Sequence, residues 1–393
     1  MKYDFETVTD KRGFGLHKWE PLEKLGDDYK LEYLPMTVAD MEFPTSPEIV
    51  EGLKDFLETR SLGYSQPWPS YYEAVVDWLH HRHETMILPE WIVLSAGVVS
   101  AIEVMVQTFS ETGQGVIINN PLYPPFERSI RSLDRKVVNC PLVKENGTFH
   151  MDFEAIEEAC KDPNNRIFML CSPHNPTGRV WDLEELQQLT KLLKKYQVYL
   201  FSDEIWMDFE ITKKHTTVLK ADPEVKDLLV LATAPSKSFN LASLWTSNII
   251  IPNQMMREQF QTANKSMKGN HINTLGVRAC ELAYQVGEPW LDELLLVITE
   301  NQKMVHEFFF HKYPSIYAPV SEGTYIMWVD FSSMGLSDSE LEKLLLEKVF
   351  IYANSGSMFG PEGTGYVRLN VAIPTWVLKK TLERLDEFLK TIV

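Results

Sequence analysis

The chain has 393 residues, 44% hydrophobic and 24% charged, the balance of an ordinary globular protein with material for two or three domains. Its 55 acidic against 38 basic side chains leave a formal charge of -17, which argues against nucleic acid or an anionic membrane as main partner. The start MKYDFETVTDKRG lacks the apolar stretch of a secretory signal, and no run approaches the roughly 20 apolar residues of a membrane span, so a cytoplasmic protein is expected.

Residues 1–45, with Pro35 and Pro44 and with Pro47 just beyond, read as an extended arm and linker. His80, His81 and His83 fall on an exposed-looking helix end and read as surface residues. Five apolar runs then share one layout, each ending abruptly in small, polar or proline residues: WIVLSAGVVS (91–100), GVIINNPLYPPF (115–126), RIFMLCSPHNPTG (166–178), VYLFSDEIWMD (198–208) and LLVLATAPSKSF (228–239). Continuous rather than alternating hydrophobicity predicts strands covered on both faces, hence an α/β fold with a mainly parallel sheet and crossover helices. One such helix is predicted over 182–196, with Leu183, Leu186, Leu189 and Leu193 at helical spacing behind a D-x-x-E start formed by Asp182 and Glu185. The large domain is expected over 46–285. Beyond it, amphipathic helices over 290–313, 337–349 and 375–392 enclose the strand-like runs TYIMWVDF and GYVRLNVA, which predicts a smaller α+β domain over 286–393 joined by the arm.

Cys140, Cys160, Cys171 and Cys280 are far apart, without metal-ligand spacing, and read as reduced core residues. No metal site is indicated. The phosphate-loop pattern G-x-x-x-x-G-K-[ST] and a G-x-G-x-x-G after a strand are both missing. Ala234 breaks the S-x-x-K spacing of serine-lysine hydrolases around Lys237.

In open α/β sheets ligands bind beyond the carboxyl ends of the strands, which is where the unusual tails of the five runs fall. Together they suit an anionic, electron-withdrawing aromatic cofactor bound through an amine, a description that pyridoxal phosphate meets. Lys237 offers the amine, although a snorkelling surface lysine is the plainer reading of that motif alone. Asp203 offers a carboxylate for a pyridine nitrogen, or is a loop or cap residue. Gly97, Val98 and Val99 open a helix whose positive end suits a phosphate, or form an ordinary strand-to-helix turn. Tyr123 is suited to stacking on a ring and Asn175 to donating its amide.

The stretches PMTVADMEFPTSPEI, LGYS, NNPLYPPFERS, SPHNPTGRVW, SDEIWMD, APSKSFNLASL and GYVRLNVA resemble those of fold-type I pyridoxal-phosphate enzymes of the aspartate aminotransferase superfamily, and most of all its cystathionine β-lyase-like (MalY/PatB) branch. The resemblance implies a seven-stranded sheet, Lys237 as the Schiff-base lysine, Asp203 on the pyridinium nitrogen, Tyr123 stacked, and Asn175 on the ring oxygen, with Tyr123 and Asn175 also lining the substrate site. It implies Arg368 on the substrate α-carboxylate, and Tyr64 reaching the phosphate of a neighbouring subunit in a homodimer with shared sites. Trp206 stands where relatives have tyrosine or histidine near that oxygen, Trp245 where many carry an arginine, Ala234 where a hydroxyl is frequent and Thr37 where this branch often has tryptophan. Phosphate binding then leans on the helix start, Ser236 and Tyr64. The implied activity is carbon-sulfur β-elimination from cystathionine, cysteine or related S-conjugates. Amino transfer to a 2-oxo acid uses the same residues, and a regulatory protein retaining the fold is a third reading.

Overall fold

The computed structural model describes residues 1–8, 11, 13–25 and 34–392. Seven strands form the central sheet: β1 (Ile92–Ser95), β2 (Gly115–Ile118), β3 (Lys136–Asn139), β4 (Asn165–Cys171), β5 (Tyr199–Asp203), β6 (Leu229–Thr233) and β7 (Ser247–Ile250), in the order β1-β7-β6-β5-β4-β2-β3. All neighbours pair in parallel except β7, which runs antiparallel to both β1 and β6.

The five apolar runs supply β1, β2, β4, β5 and β6, and the burial of their residues on both faces agrees with continuous hydrophobicity. Two strands carry weaker signals. β3 is a partly exposed edge strand of sequence KVVN, and β7 is only four residues, SNII.

The helix Leu183–Tyr196 starts on Asp182 with a complete capping box to Glu185, which satisfies backbone N–H groups that have no intrahelical partner. A second sheet contains β8 (Ile326–Asp330), β9 (Asn354–Ser355) and β10 (Tyr366–Asn370), in the antiparallel order β8-β10-β9. Leu34–Pro35 pairs in parallel with Ile351–Tyr352. The helix Glu288–Lys312 joins the apolar layers: Trp290, Leu291 and Leu294 pack with the core of the large sheet, whereas Val305, Phe308 and Phe309 pack with that of the small one. Among the described residues no helix is long and apolar enough to cross a membrane. The four cysteines are buried free thiols.

Candidate active site

The carboxyl ends of neighbouring parallel strands lie side by side, so residues remote in sequence meet there. Cys171, Asp203 and Ala232 stand in register across β4, β5 and β6. Four residues past β6, Lys237 lies on the short helix Pro235–Ser238, and four past β4 comes Asn175.

Lys237 is partly buried, and its Nζ donates to the carbonyl of Ala39 at 3.0 Å. The same carbonyl accepts from the Tyr325 hydroxyl at 2.7 Å. Burial lowers the Lys237 pKa below the usual lysine range; Arg368 acts in the same direction, and the Asp40 and Asp203 carboxylates oppose it. Trp206 forms the floor, its ring centroid 5.9 Å from Nζ, with Tyr325 packed edge-on to it at 4.7 Å.

Asp203 is buried, and burial raises its pKa to about 7 against the backbone N–H of Ile205 and the charge of Lys237. No cation lies within ion-pair distance of it among the described residues. Across the site Arg368, on β10, is only 4% exposed. Its Nη1 donates to Asn175 Oδ1 at 3.0 Å and its Nη2 to Asn354 Oδ1 at 2.7 Å, while Nε has no partner. Burial lowers its pKa to about 10. With Oδ1 of Asn175 engaged by Arg368, the amide NH2 is the end left to donate.

Gly97 sits at φ +89° ahead of the helix Val98–Phe109, and Val98 and Val99 form its first turn. No side chain caps that end, which leaves N–H groups directed outward. Tyr123 caps the helix Pro124–Ser132, is partly buried, and has its pKa raised by burial. Ser236 is partly buried, one residue before Lys237. Tyr64 is fully exposed. Thr37 and Ala234 are buried, whereas Trp245 is 62% exposed and lies over Gly97.

Other site residues lie in stretches that carry the family resemblance but are given no role of their own by it. The segment from Val38 to Met41 is strapped across Lys237 by Asn370 Nδ2, which donates to the carbonyls of Val38 and Asp40, both at 2.7 Å. Asn240 closes the strap from the other side through the backbone of Met41. The reading of three surface histidines is corrected in part. His80 and His81 are exposed, but His83 lies one turn past Leu79 on the inner face of the helix Pro69–His83 and is buried. Its Nε2 is 2.7 Å from Asp208 Oδ1, and Asp208 also accepts from Trp78 Nε1 and from the Ser238 hydroxyl, next to Lys237.

The family model for aminotransferase class I and II matches residues 32–385. The chain belongs to this family. Within the class I and II aminotransferases it lies with the MalY/PatB branch: it is 35% identical over 384 residues to cystathionine beta-lyase PatB of Bacillus subtilis (strain 168), covering 97% of this chain and 98% of the relative. Protein MalY of Escherichia coli (strain K12) is 30% identical over 398 residues, covering 99% and 100%. Cystalysin from Treponema denticola, solved with pyridoxal 5'-phosphate, superimposes with a TM-score of 0.97 at 39% identity over the full length of both chains.

Proposed function

We propose that this member of the class I and II aminotransferase family is a pyridoxal-phosphate-dependent carbon-sulfur β-lyase acting on cystathionine, cysteine or related S-conjugates. The observation that carries the reading is Lys237, a partly buried amine that feels the charges of a buried carboxyl, Asp203, and a buried guanidinium, Arg368, neither of which has an ion-pair partner among the described residues. Burying charges without partners is costly, so such groups point to ligand charges that complete them.

The donor set fits the cofactor. Asp203 suits a protonated ring nitrogen, the bare N-terminus of the helix Val98–Phe109 with Ser236 suits the phosphate, and Asn175 presents an amide donor for the ring oxygen. Tyr123 is the candidate for the stacked face and Trp206 for the floor. When bound, pyridoxal phosphate supplies an electron sink for the pair released at the substrate α-carbon.

The protein's own residues do the rest. Arg368 grips the substrate α-carboxylate through a planar fork of N–H donors, which orients the α C–H bond. Lys237, whose pKa burial lowers, is the amine placed to remove the α-proton. The Cβ–S bond breaks as its electron pair leaves with sulfur, and a proton yields the thiol. One water is consumed in forming pyruvate and ammonia from the remainder.

Further parts of the reading rest on placement. The full exposure of Tyr64 supports its serving the site of a second subunit in a homodimer. The pairing of Leu34–Pro35 with Ile351–Tyr352 supports grouping the arm with the small domain, with boundaries near 45 and 285. Four reduced, buried thiols support a cytoplasmic setting.

Amino transfer is the second reading, favoured by the description of the matching family. Purified holoenzyme given cystathionine, cysteine and S-alkyl cysteines is expected to release pyruvate and thiol in equal amounts. Amino transfer to a 2-oxo acid without pyruvate would reverse the assignment. Borohydride reduction and peptide mapping are expected to place the cofactor adduct on Lys237.

A further inference from the structure

A cavity of 750 Å³ opens between the helix Pro124–Ser132 and the loop Ser357–Pro361. It shares two walls with the Arg368 site. Tyr123 and Phe359 line the cavity, and the Phe359 ring centroid lies 4.8 Å from the Arg368 guanidinium carbon. Asn354 continues the connection, since its Oδ1 accepts from Arg368 and its Nδ2 lies 3.8 Å from the sulfur of Met358, on the cavity wall. A substrate held by its α-carboxylate at Arg368 therefore lies beside two residues, Tyr123 and Phe359, that also wall this space. The volume is that of a small-molecule site.

The chemistry of the wall narrows the occupant. Leu122, Pro124, Met358 and Phe359 provide apolar and soft sulfur surface, suited to a methylene-thioether chain. The charged wall residues are Glu127, Arg128 and Arg131. Arg131 Nε is bonded to Glu127 at 2.7 Å, so these two compensate each other. Arg128 makes no ion pair or side-chain hydrogen bond among the described residues, which leaves one net positive charge on the wall. In a chain of formal charge -17 this runs against the general sign of the surface. A planar guanidinium beside an apolar cavity selects a carboxylate.

We infer that this cavity seats the β-substituent of the substrate and that Arg128 binds a carboxylate at its far end. The inference rests on the lyase reading and deepens it: among the substrates of that reading, Arg128 sets a preference for those whose β-substituent ends in a carboxylate. Tyr123 belongs to both regions: it lines the cavity, and the charges of Arg368 and Arg128 both act on its hydroxyl.

The test compares S-(2-carboxyethyl)-L-cysteine with its terminal amide, which has the same shape without the charge. With wild-type holoenzyme, kcat/KM for pyruvate release is expected to favour the acid by about tenfold, the scale of one partly solvated arginine-carboxylate contact. Arg128→Gln is expected to bring the ratio close to one, chiefly through KM of the acid, and Arg128→Glu to invert it. Arg128 is exposed, so these variants are expected to fold. A wild-type ratio below two, or a ratio that survives both substitutions, overturns the inference. If neither compound yields pyruvate, the lyase reading fails separately; the ratio of dissociation constants, read from the cofactor absorbance, then decides the role of Arg128 by the same criteria.

Discussion

Arg368 Nη1 donates to Asn175 Oδ1 at 3.0 Å, joining the small sheet to the carboxyl end of the large one across 193 positions of sequence. The contact is between a cation and a neutral amide, so the guanidinium is positioned without being neutralised. Its orphaned Nε and its pKa, lowered by burial to about 10, show how incompletely the protein itself satisfies this charge.

The arrangement makes Arg368→Lys a demanding substitution despite the retained charge. An ammonium cannot span both oxygens of a carboxylate, and it gives up the bond to either Asn175 or Asn354. Loss of one or two charge-assisted bonds, at about 1.5 to 3 kcal/mol each, predicts a fall in kcat/KM of about 10 to 10⁴. It should appear mainly in KM, with cofactor content retained. A change smaller than about fivefold in steady-state kinetics would remove Arg368 from the α-carboxylate role.

Asp203 predicts a pH dependence. Its native pKa is raised from 3.8 to about 7 by burial, so between those values the folded, cofactor-free protein holds a proton that the unfolded chain has lost. The group's stability contribution is therefore full below 3.8 and is lost as pH rises toward 7 and beyond, by up to ~4 kcal/mol. Urea unfolding of cofactor-free protein at pH 5 and pH 8 should show this loss, and Asp203→Asn should flatten it. In the holoenzyme the same variant is expected to keep its covalent cofactor but lose about a hundredfold in kcat. An unaltered pH slope would show that Asp203 titrates in its ordinary range.

The parts of this site legible in sequence are those that rest on short-range grammar. Asp203, Asn175 and Gly97 follow apolar runs whose continuity betrays a parallel sheet, and the strand-end rule then gathers them with Lys237. What escaped reading depends on contacts with no local pattern. The Ala39 carbonyl meets Lys237 across 198 positions, and Asn370 reaches Val38 across 332. His83 was obscured for another reason: it follows exposed His80 and His81, and only the helical phase set by Trp78 and Leu79 turns it inward. β3 escaped because a half-exposed edge strand lacks the continuous hydrophobicity that marked its neighbours.

His83 and Asp208 carry their own prediction. Burial pushes the Asp208 carboxyl up, but His83, Arg82 and Ser238 together hold it below the usual carboxylate range. The stabilisation is thus present above the unfolded value of 3.8 and lost as pH falls below it. Asp208→Ala leaves several buried donors unpaired and is expected to cost about 3 to 5 kcal/mol by thermal or urea unfolding. Ser238→Ala removes one donor and is expected to cost about 1 kcal/mol, with a measurable shift in the cofactor absorbance because the turn bearing Lys237 loses an anchor. Equal losses for the two variants would show that Asp208 is not the hub of this cluster.

Gly97 combines two constraints that mutation can separate. Its φ of +89° is unfavourable for a residue with a Cβ, and a Cβ placed there would lie 3.3 Å from the Trp245 ring. Gly97→Ala is expected to destabilise the protein by about 1 to 2 kcal/mol and to weaken cofactor binding about tenfold, because the first N–H groups of the following helix are re-aimed. Trp245 is largely exposed, so Trp245→Ala alone should change stability by no more than about 0.5 kcal/mol. In the double variant the crowding is gone while the backbone conformation is still imposed. If Gly97→Ala then costs as much as before, by cofactor titration and unfolding alike, backbone conformation is the controlling constraint; full recovery would assign the whole effect to the indole ring.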